Sequence, residues 1–199
     1  MHPIQPLSDI LPQIAGQGTR ISFLPGEVVW VEAEDFQNFY ILEEGSVELS
    51  YLDDEGERLI IDIYHAGDFF GAVQMAGLTT KNRTVTALTH CSLYRFTPEQ
   101  FSDFWDSCPG FSRAVFQVVC QRLIRSGDEK ACNERLFLRQ RVMRVVRENL
   151  NESGYFRYGK DVLRGMVGIS TRSLNRTLLD LAESGEILYE SGTIKPVDR

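Results

Sequence analysis

The stretch KDVLRGMVGISTRSLNRTLLDLAESGEILYESGTIKPV, residues 160–197, decides how this chain is read. Val162 to Val167 carries Leu163, Met166 and Val167 at helical spacing. Gly168-Ile169-Ser170 interrupts that period, and the glycine can supply a positive φ. Ser170 is a good N-cap for a second helix, Thr171 to Ser184, with Leu174, Leu178 and Leu181 on one face. Gly185 ends it. Ile187-Leu188-Tyr189, Glu190-Ser191-Gly192 and Thr193 to Val197 then read as a hairpin with a tight turn. Helix, glycine turn, helix and β-hairpin together make a winged helix-turn-helix.

In that geometry the second helix enters the major groove with its first residues at base edges. Ser170, Thr171, Arg172, Ser173, Asn175 and Arg176 occupy that start, off the apolar face, and are the candidate DNA-binding residues. Arg pairs bidentately with guanine and Asn with adenine. A winged helix used only for protein contacts is the competing reading; the polar, cationic tip favours DNA.

Working back toward the N-terminus, Leu138, Val142, Val145, Val146 and Leu150 form an i, i+4, i+7, i+8, i+12 stripe. The opposite face carries Arg139, Arg141, Arg144 and Arg147, either a solvated row or a contribution to phosphate steering. Asn151 to Gly159 reads as a polar loop. From Phe111 to about Asn133 a long helix carries two stripes. One is Phe116, Val119, Cys120, Leu123 and Ile124; the other is Phe111, Val115 and Val118. Two stripes imply two surfaces to bury, the second in another subunit or, alternatively, in a second domain of the same chain. A short helix, Glu99 to Trp105, precedes it, with Cys108-Pro109-Gly110 as the break.

Between Thr19 and Phe96 the period is two. Val47, Leu49 and Tyr51 alternate with Glu48 and Ser50, Asp53-Asp54-Glu55-Gly56 turns, and Leu59, Ile61 and Ile63 resume. Gly26, Gly45, Gly56, Gly67, Gly71 and Gly77 punctuate the run, as in an all-β sandwich or barrel. The fold expected is therefore α+β: an N-terminal β-roll over 1–108, a long dimerisation helix and hinge over 109–137, and a winged helix-turn-helix over 138–199.

Charge divides along the same line. Residues 1–108 carry 5 Lys/Arg against 17 Asp/Glu, a net of −12, and residues 109–199 carry 16 against 11, a net of +5. An acidic sensing half joined to a basic half that meets phosphate fits this asymmetry. The 4 cysteines form no CxxC pair, no apolar run approaches a membrane span, and the start lacks the shape of a signal peptide, so the expected compartment is the cytoplasm. His2, His65 and His90 are dispersed, and no GxSxG, HExxH or P-loop is present, so no catalytic or metal site is expected and the chain is not read as an enzyme.

Several motifs recur in order: Pro25-Gly26-Glu27, Phe39 to Val47 (FYILEEGSV), Gly67-Asp68-Phe69-Phe70-Gly71, Arg83-Thr84, Val167-Gly168-Ile169-Ser170, Arg176 and Gly192-Thr193-Ile194. With them, over nearly its whole length, the chain resembles the CRP/FNR family of bacterial transcription regulators. The resemblance implies a cyclic-nucleotide-binding-like jelly roll, a dimerisation helix and a C-terminal winged helix. It also implies a homodimer on double-stranded DNA, with RNA polymerase as a partner and no membrane.

The departures bear on mechanism. In cyclic-nucleotide-binding members a Glu after the Gly71-type glycine holds the ribose and an Arg-Ser pair holds the phosphate; here these positions are Ala72 and Arg83-Thr84. The polar pair that caps the purine falls near Ser126 and Gly127. The implied effector pocket, Gly71, Ala72, Arg83, Thr84, Ser126 and Gly127, is thus degenerate. The chain is expected not to take cAMP tightly: a different small anion, or none, is expected. The recognition helix starts Thr171-Arg172 where the family has Arg-Glu, so the half-site is expected to differ from that of the best-known member. Residues 1–90 contain no Cys, so no iron–sulfur cluster is expected. Haem is a further reading, with His65, His90, Cys91 and Pro3 as the available ligands.

The leading expectation is a sequence-specific, homodimeric transcription regulator, effector-controlled or constitutive. The alternative is a cyclic-nucleotide or haem-sensing regulatory subunit whose C-terminal module contacts protein.

Overall fold

In the computed structural model, residues 7–31, 38–78, 83–133, 136–190 and 192–197 are described, the side chains of 129–133 excepted. Pro3 lies outside them. The chain divides into two compact units: residues 1–52 with 61–125, and residues 53–60 with 126–199.

The first unit begins with helix α1 (Leu7–Ile14) and a 3-10 turn, Ala15–Gln17. Strands β1 (Thr19–Phe23), β2 (Val28–Val31), β3 (Phe39–Glu44), β4 (Ser46–Leu52), β5 (Arg58–His65) and β6 (Phe69–Phe70) follow. After the single-turn α2 (Ala72–Met75) come β7 (Arg83–Ala87), β8 (Cys91–Phe96), α3 (Pro98–Ser107) and the long α4 (Pro109–Asn133). The strands make two four-stranded sheets, ordered β1-β8-β3-β6 and β2-β7-β4-β5. The expected β-roll is there.

Strand β3 explains why two cores form. Successive strand residues point to opposite faces, and here both faces are covered. Tyr40 and Leu42 join Val47, Val85 and Leu93 in the core between the sheets. Phe39 and Ile41 join Phe69, Phe96 and Phe111 under the helices. Phe39 meets Phe69 at 5.2 Å and Phe111 at 5.7 Å between ring centroids, edge-on in the second case. Each fully buried Phe contributes about 1.5–3 kcal/mol, so this aromatic layer is a principal fastening of α3 and α4 to the roll.

The N-terminal helix α1 also packs there, through Leu7, Ile10, Leu11 and Ile14. Its i, i+3, i+4, i+7 spacing is in the sequence, but sequence analysis assigned it no element. Helix α3 starts one residue earlier and ends two later than expected, because Thr97 and Gln100 close a capping box around Pro98. Pro109 is the first residue of α4 rather than only a break before it.

The second unit holds α5 (Leu138–Glu148), α6 (Lys160–Val167), α7 (Thr171–Glu183), β9 (Ile187–Glu190) and β10 (Thr193–Pro196). Its core gathers Val142, Val146, Leu163, Leu174, Leu178 and Ile194. The segment Asn151–Gly159 is a correction: Phe156 is buried, bridges Leu150, and donates its backbone N–H to the Ile194 carbonyl at 2.7 Å. The polar majority of that segment hid one core residue.

Candidate nucleic-acid interface and effector site

The turn between α6 and α7 fixes the direction of the candidate reading helix. Gly168 closes α6 at φ 69°, ψ 53°, the left-handed conformation that an L side chain adopts only under strain. The chain reverses, and the Ser170 hydroxyl accepts the backbone N–H of Ser173 at 3.2 Å, capping α7. The Ser170 and Ser173 hydroxyls also lie 3.0 Å apart. Both serines therefore serve to start the helix. Arg141 adds a brace, donating to the Val167 carbonyl at 2.6 Å.

Leu174, Leu178 and Leu181 are buried, which turns the opposite face outward. Thr171, Arg172 and Arg176 are exposed, and Asn175 is half-buried. Arg172 and Arg176 are i, i+4 neighbours on the first turns, and among the described residues neither guanidinium makes an ion pair or hydrogen bond. They add full charges to the positive end of a helix dipole, where an anion is favoured. The hairpin β9–β10 pairs Glu190 with Thr193 and Tyr189 with Ile194, as the wing requires. Ser191 in its turn lies outside the described residues.

The arginine row of α5 is not one surface. Arg141 faces the α6–α7 turn, whereas Arg139 pairs with Ser184 and Glu186 beyond the far end of α7. Arg144 stands 3.9 Å from Glu148. Arg139 and Arg141 are thus committed within the unit, and the reading of the row as a uniform solvated or phosphate-steering face is corrected.

On α4 the two expected stripes separate cleanly. Phe111 and Val115 are buried in the first unit, while Phe116 is 62%, Val119 43%, Leu123 73% and Ile124 65% exposed.

Of the implied effector pocket, Gly71, Ala72, Arg83 and Thr84 belong to the first unit and Ser126 and Gly127 to the second. Gly71 sits at φ 93°, and a Cβ there would stand 2.1 Å from the Asn38 carbonyl oxygen, so only glycine fits. Ala72 opens α2 and packs on the aromatic layer under the helices. Arg83 lies opposite Tyr51, in the alternation that puts Val85 opposite Leu49 and Ala87 opposite Val47 in the core between the sheets. Arg83 thus shares the roll-interior face, its guanidinium 5.2 Å from the Tyr51 ring centroid, and Thr84 turns the other way. Ser126 and Gly127 are exposed on the second unit's part of α4.

Sequence reasoning missed a charged cluster in the first unit. Arg122 donates to the Phe69 carbonyl at 2.8 Å and to Asp68 at 3.2 Å, and stacks 4.3 Å from the Tyr64 ring centroid. Arg125 pairs with Asp62 beside it. Burial pushes the Asp62 carboxyl above the usual range, against the pull of Arg125 and Arg122. GDFF supplied Asp68 and Phe69 as family markers, but nothing in the spacing tied them to Arg122.

His90 is exposed, and Cys91 is fully buried with its thiol facing the Thr89 carbonyl at 3.3 Å. Burial raises that thiol's pKa, which opposes the thiolate an axial ligand must be.

Residues 20–108 match the cyclic nucleotide-binding domain family. The nitrogen fixation regulation protein FixK of Bradyrhizobium diazoefficiens is 24% identical over 192 residues, covering 91% of this chain and 79% of FixK. A CRP-like cAMP-activated global transcriptional regulator of Mycobacterium tuberculosis is 22% identical over 185 residues, 87% of this chain and 82% of that one. Over most of its length the chain is thus similar to these two transcription regulators. In fold the chain is similar to the c-di-GMP responsive global regulator CLP of Xanthomonas campestris: TM-score 0.84 at 16% identity, over 96% of this chain and 100% of CLP. No helix among the described residues is long and apolar enough to cross a membrane.

Proposed function

We propose that this protein is a sequence-specific DNA-binding transcription regulator of the CRP/FNR type that works as a homodimer in the cytoplasm, with RNA polymerase as its onward partner. The observation that carries the reading is the start of α7: Arg172 and Arg176, exposed and uncommitted beside Thr171 on a helix whose other face is core. Arg in such a position reads guanine O6 and N7 in the major groove. Ser170 and Ser173 support the tip by capping, and Asn175 is the adenine reader. Homodimerisation rests on the exposed stripe Phe116, Val119, Leu123 and Ile124, too large an apolar strip to leave in water.

Effector control centres on Arg83. FixK is named for nitrogen fixation, and the relatives from Mycobacterium and Xanthomonas are named for cAMP and c-di-GMP. In this chain Ala72 offers no carboxylate to a ribose, a loss of about 1.5–3 kcal/mol for a charge-assisted hydrogen bond. That favours a small anion other than cAMP at Arg83, or activity by default.

Selection of bound fragments from a random duplex pool, followed by gel shift of wild type and Arg176→Ala, tests the reading. An enriched two-fold motif, with a specific-to-nonspecific ratio that falls in the variant, supports it. No enrichment would favour a module that contacts protein instead.

A further inference from the structure

The first unit contains a cavity of about 480 Å³ that the DNA-binding reading does not use. Its walls are α2 with the turn after it, α3, and the first half of α4. Val73, Trp105, Phe116 and Val119 converge on it, and each is over two-fifths exposed although large and apolar. Two polar side chains, Gln74 and Ser102, also face it, and neither spends its side chain on a hydrogen bond among the described residues. No lining residue is charged.

We infer that this cavity is a binding site for a small, neutral, largely apolar molecule with one hydrogen-bonding end. The volume lies within the roughly 300–1,000 Å³ typical of small-molecule sites, and such sites pair apolar walls with a few convergent polar groups. Trp105 and Phe116 offer ring faces to a flat or branched apolar body. Gln74 can both donate and accept, and Ser102 likewise, so a carbonyl or hydroxyl end is satisfied at that wall. An anion would lose its hydration with no cation in the lining to replace it, which excludes the charged effectors suited to Arg83. The site is therefore separate from the roll interior, where Arg83 faces the core between the sheets. Ala72, at the first turn of α2, lines this cavity rather than that core. Phe116 and Val119 also belong to the stripe proposed for the second subunit, so, on that reading, the partner closes the cavity's open side.

The test uses the full chain and prodan, a neutral naphthyl ketone whose emission shifts to the blue in apolar surroundings. Saturable, blue-shifted binding at one site per chain is expected. Ser102→Trp and Ala76→Trp fill the cavity from opposite walls, and each should weaken prodan at least ten-fold. Leu188→Ser, on the wing, should leave it unchanged. The same ring system carrying a sulfonate in place of the ketone should bind at least ten-fold more weakly. Unsaturable prodan binding, indifference to both filling variants, or equal affinity for the sulfonate overturns the proposal. Sedimentation velocity on the same samples reports the oligomer independently: a monomer that still binds prodan at this site would sink the dimer reading alone.

Discussion

Arg122 and Tyr64 join helix to strand: the guanidinium of Arg122 on α4 stacks 4.3 Å from the ring centroid of Tyr64 on β5. The same group donates to the Phe69 carbonyl at 2.8 Å and to Asp68 at 3.2 Å, with only 22% of its side chain exposed. One side chain thus holds a backbone carbonyl, a carboxylate and a ring face. Removing it leaves Asp68 without this partner and the Phe69 carbonyl without its donor. Arg122→Leu should lower unfolding free energy by about 2–4 kcal/mol, within the range for breaking a half-buried pair. Urea denaturation followed by circular dichroism reads this directly, and a loss under 0.5 kcal/mol would contradict the role.

Asp62 beside it gives a pH dependence of definite sign. Its carboxyl is raised above the ordinary range mainly by burial, with Arg125 and Arg122 pulling it down and Asp68 adding to the rise. A folded-state pKa above the unfolded one means the native state holds the proton more tightly. Stability from this group is therefore full below the unfolded pKa and declines as pH rises toward the folded pKa. Asp62→Asn removes the decline. The stability of the variant relative to wild type should improve as pH is raised from the lower carboxylate range toward neutrality. A constant difference would show that the arginines balance burial, and one moving the other way that they outweigh it; either overturns the prediction.

These two relationships also mark what the sequence could not convey. Period-two alternation with glycine turns was enough for the roll, and the Gly168-Ile169-Ser170 break with its leucine stripe was enough for the helix-turn-helix. Both are local signals. Arg122 meets Phe69 and Asp68 across more than fifty residues, and no spacing rule spans that distance. The two stripes of α4 were legible, but which one the chain covers itself depends on the phenylalanines of β3, β6 and β8. Arg83 and Ala72 come as one pocket by family resemblance, yet strand alternation and helix packing give them different neighbours. Phe156 was hidden by the polar residues around it.

The cap of α7 separates stability from recognition. Ser170→Ala removes the acceptor for the Ser173 backbone N–H, a change worth about 1 kcal/mol. Thermal unfolding should register that loss, while DNA affinity falls alike for specific and random duplexes because no base contact is removed. Ser170→Asp, also a good cap, should restore stability. Failure of Asp to restore it would mean that the hydroxyl does something other than capping.

Dimerisation makes a sharper demand on α4. Leu123 and Ile124 project from the face opposite the one that Phe111 and Val115 bury, and both are largely exposed in the single chain. Leu123→Asp would place a charge in a desolvated seam, so it should shift the protein to monomer at micromolar concentration while the monomer's unfolding transition persists. Sedimentation velocity distinguishes this from unfolding; a variant that remains a dimer would place the interface elsewhere.

The arginines of α7 carry the remaining prediction. Arg172 and Arg176 are both exposed at the helix start, but they differ in kind from Arg139 and Arg141, which are tied down within their unit. Arg176→Ala and Arg172→Ala should each cost about 1–3 kcal/mol of specific binding and relax one base per half-site. Neither should affect folding, since neither has a partner in the unit among the described residues. Arg141→Ala should act differently: it frees the Val167 carbonyl, loosens the turn before α7, and lowers affinity for all duplexes together with stability. Binding isotherms at several salt concentrations separate the cases. A phosphate contact lowers the salt slope by about one, whereas a base contact changes the specific-to-nonspecific ratio. If Arg176→Ala changes only the slope, Arg176 grips the backbone, and base reading passes to Arg172 and Asn175.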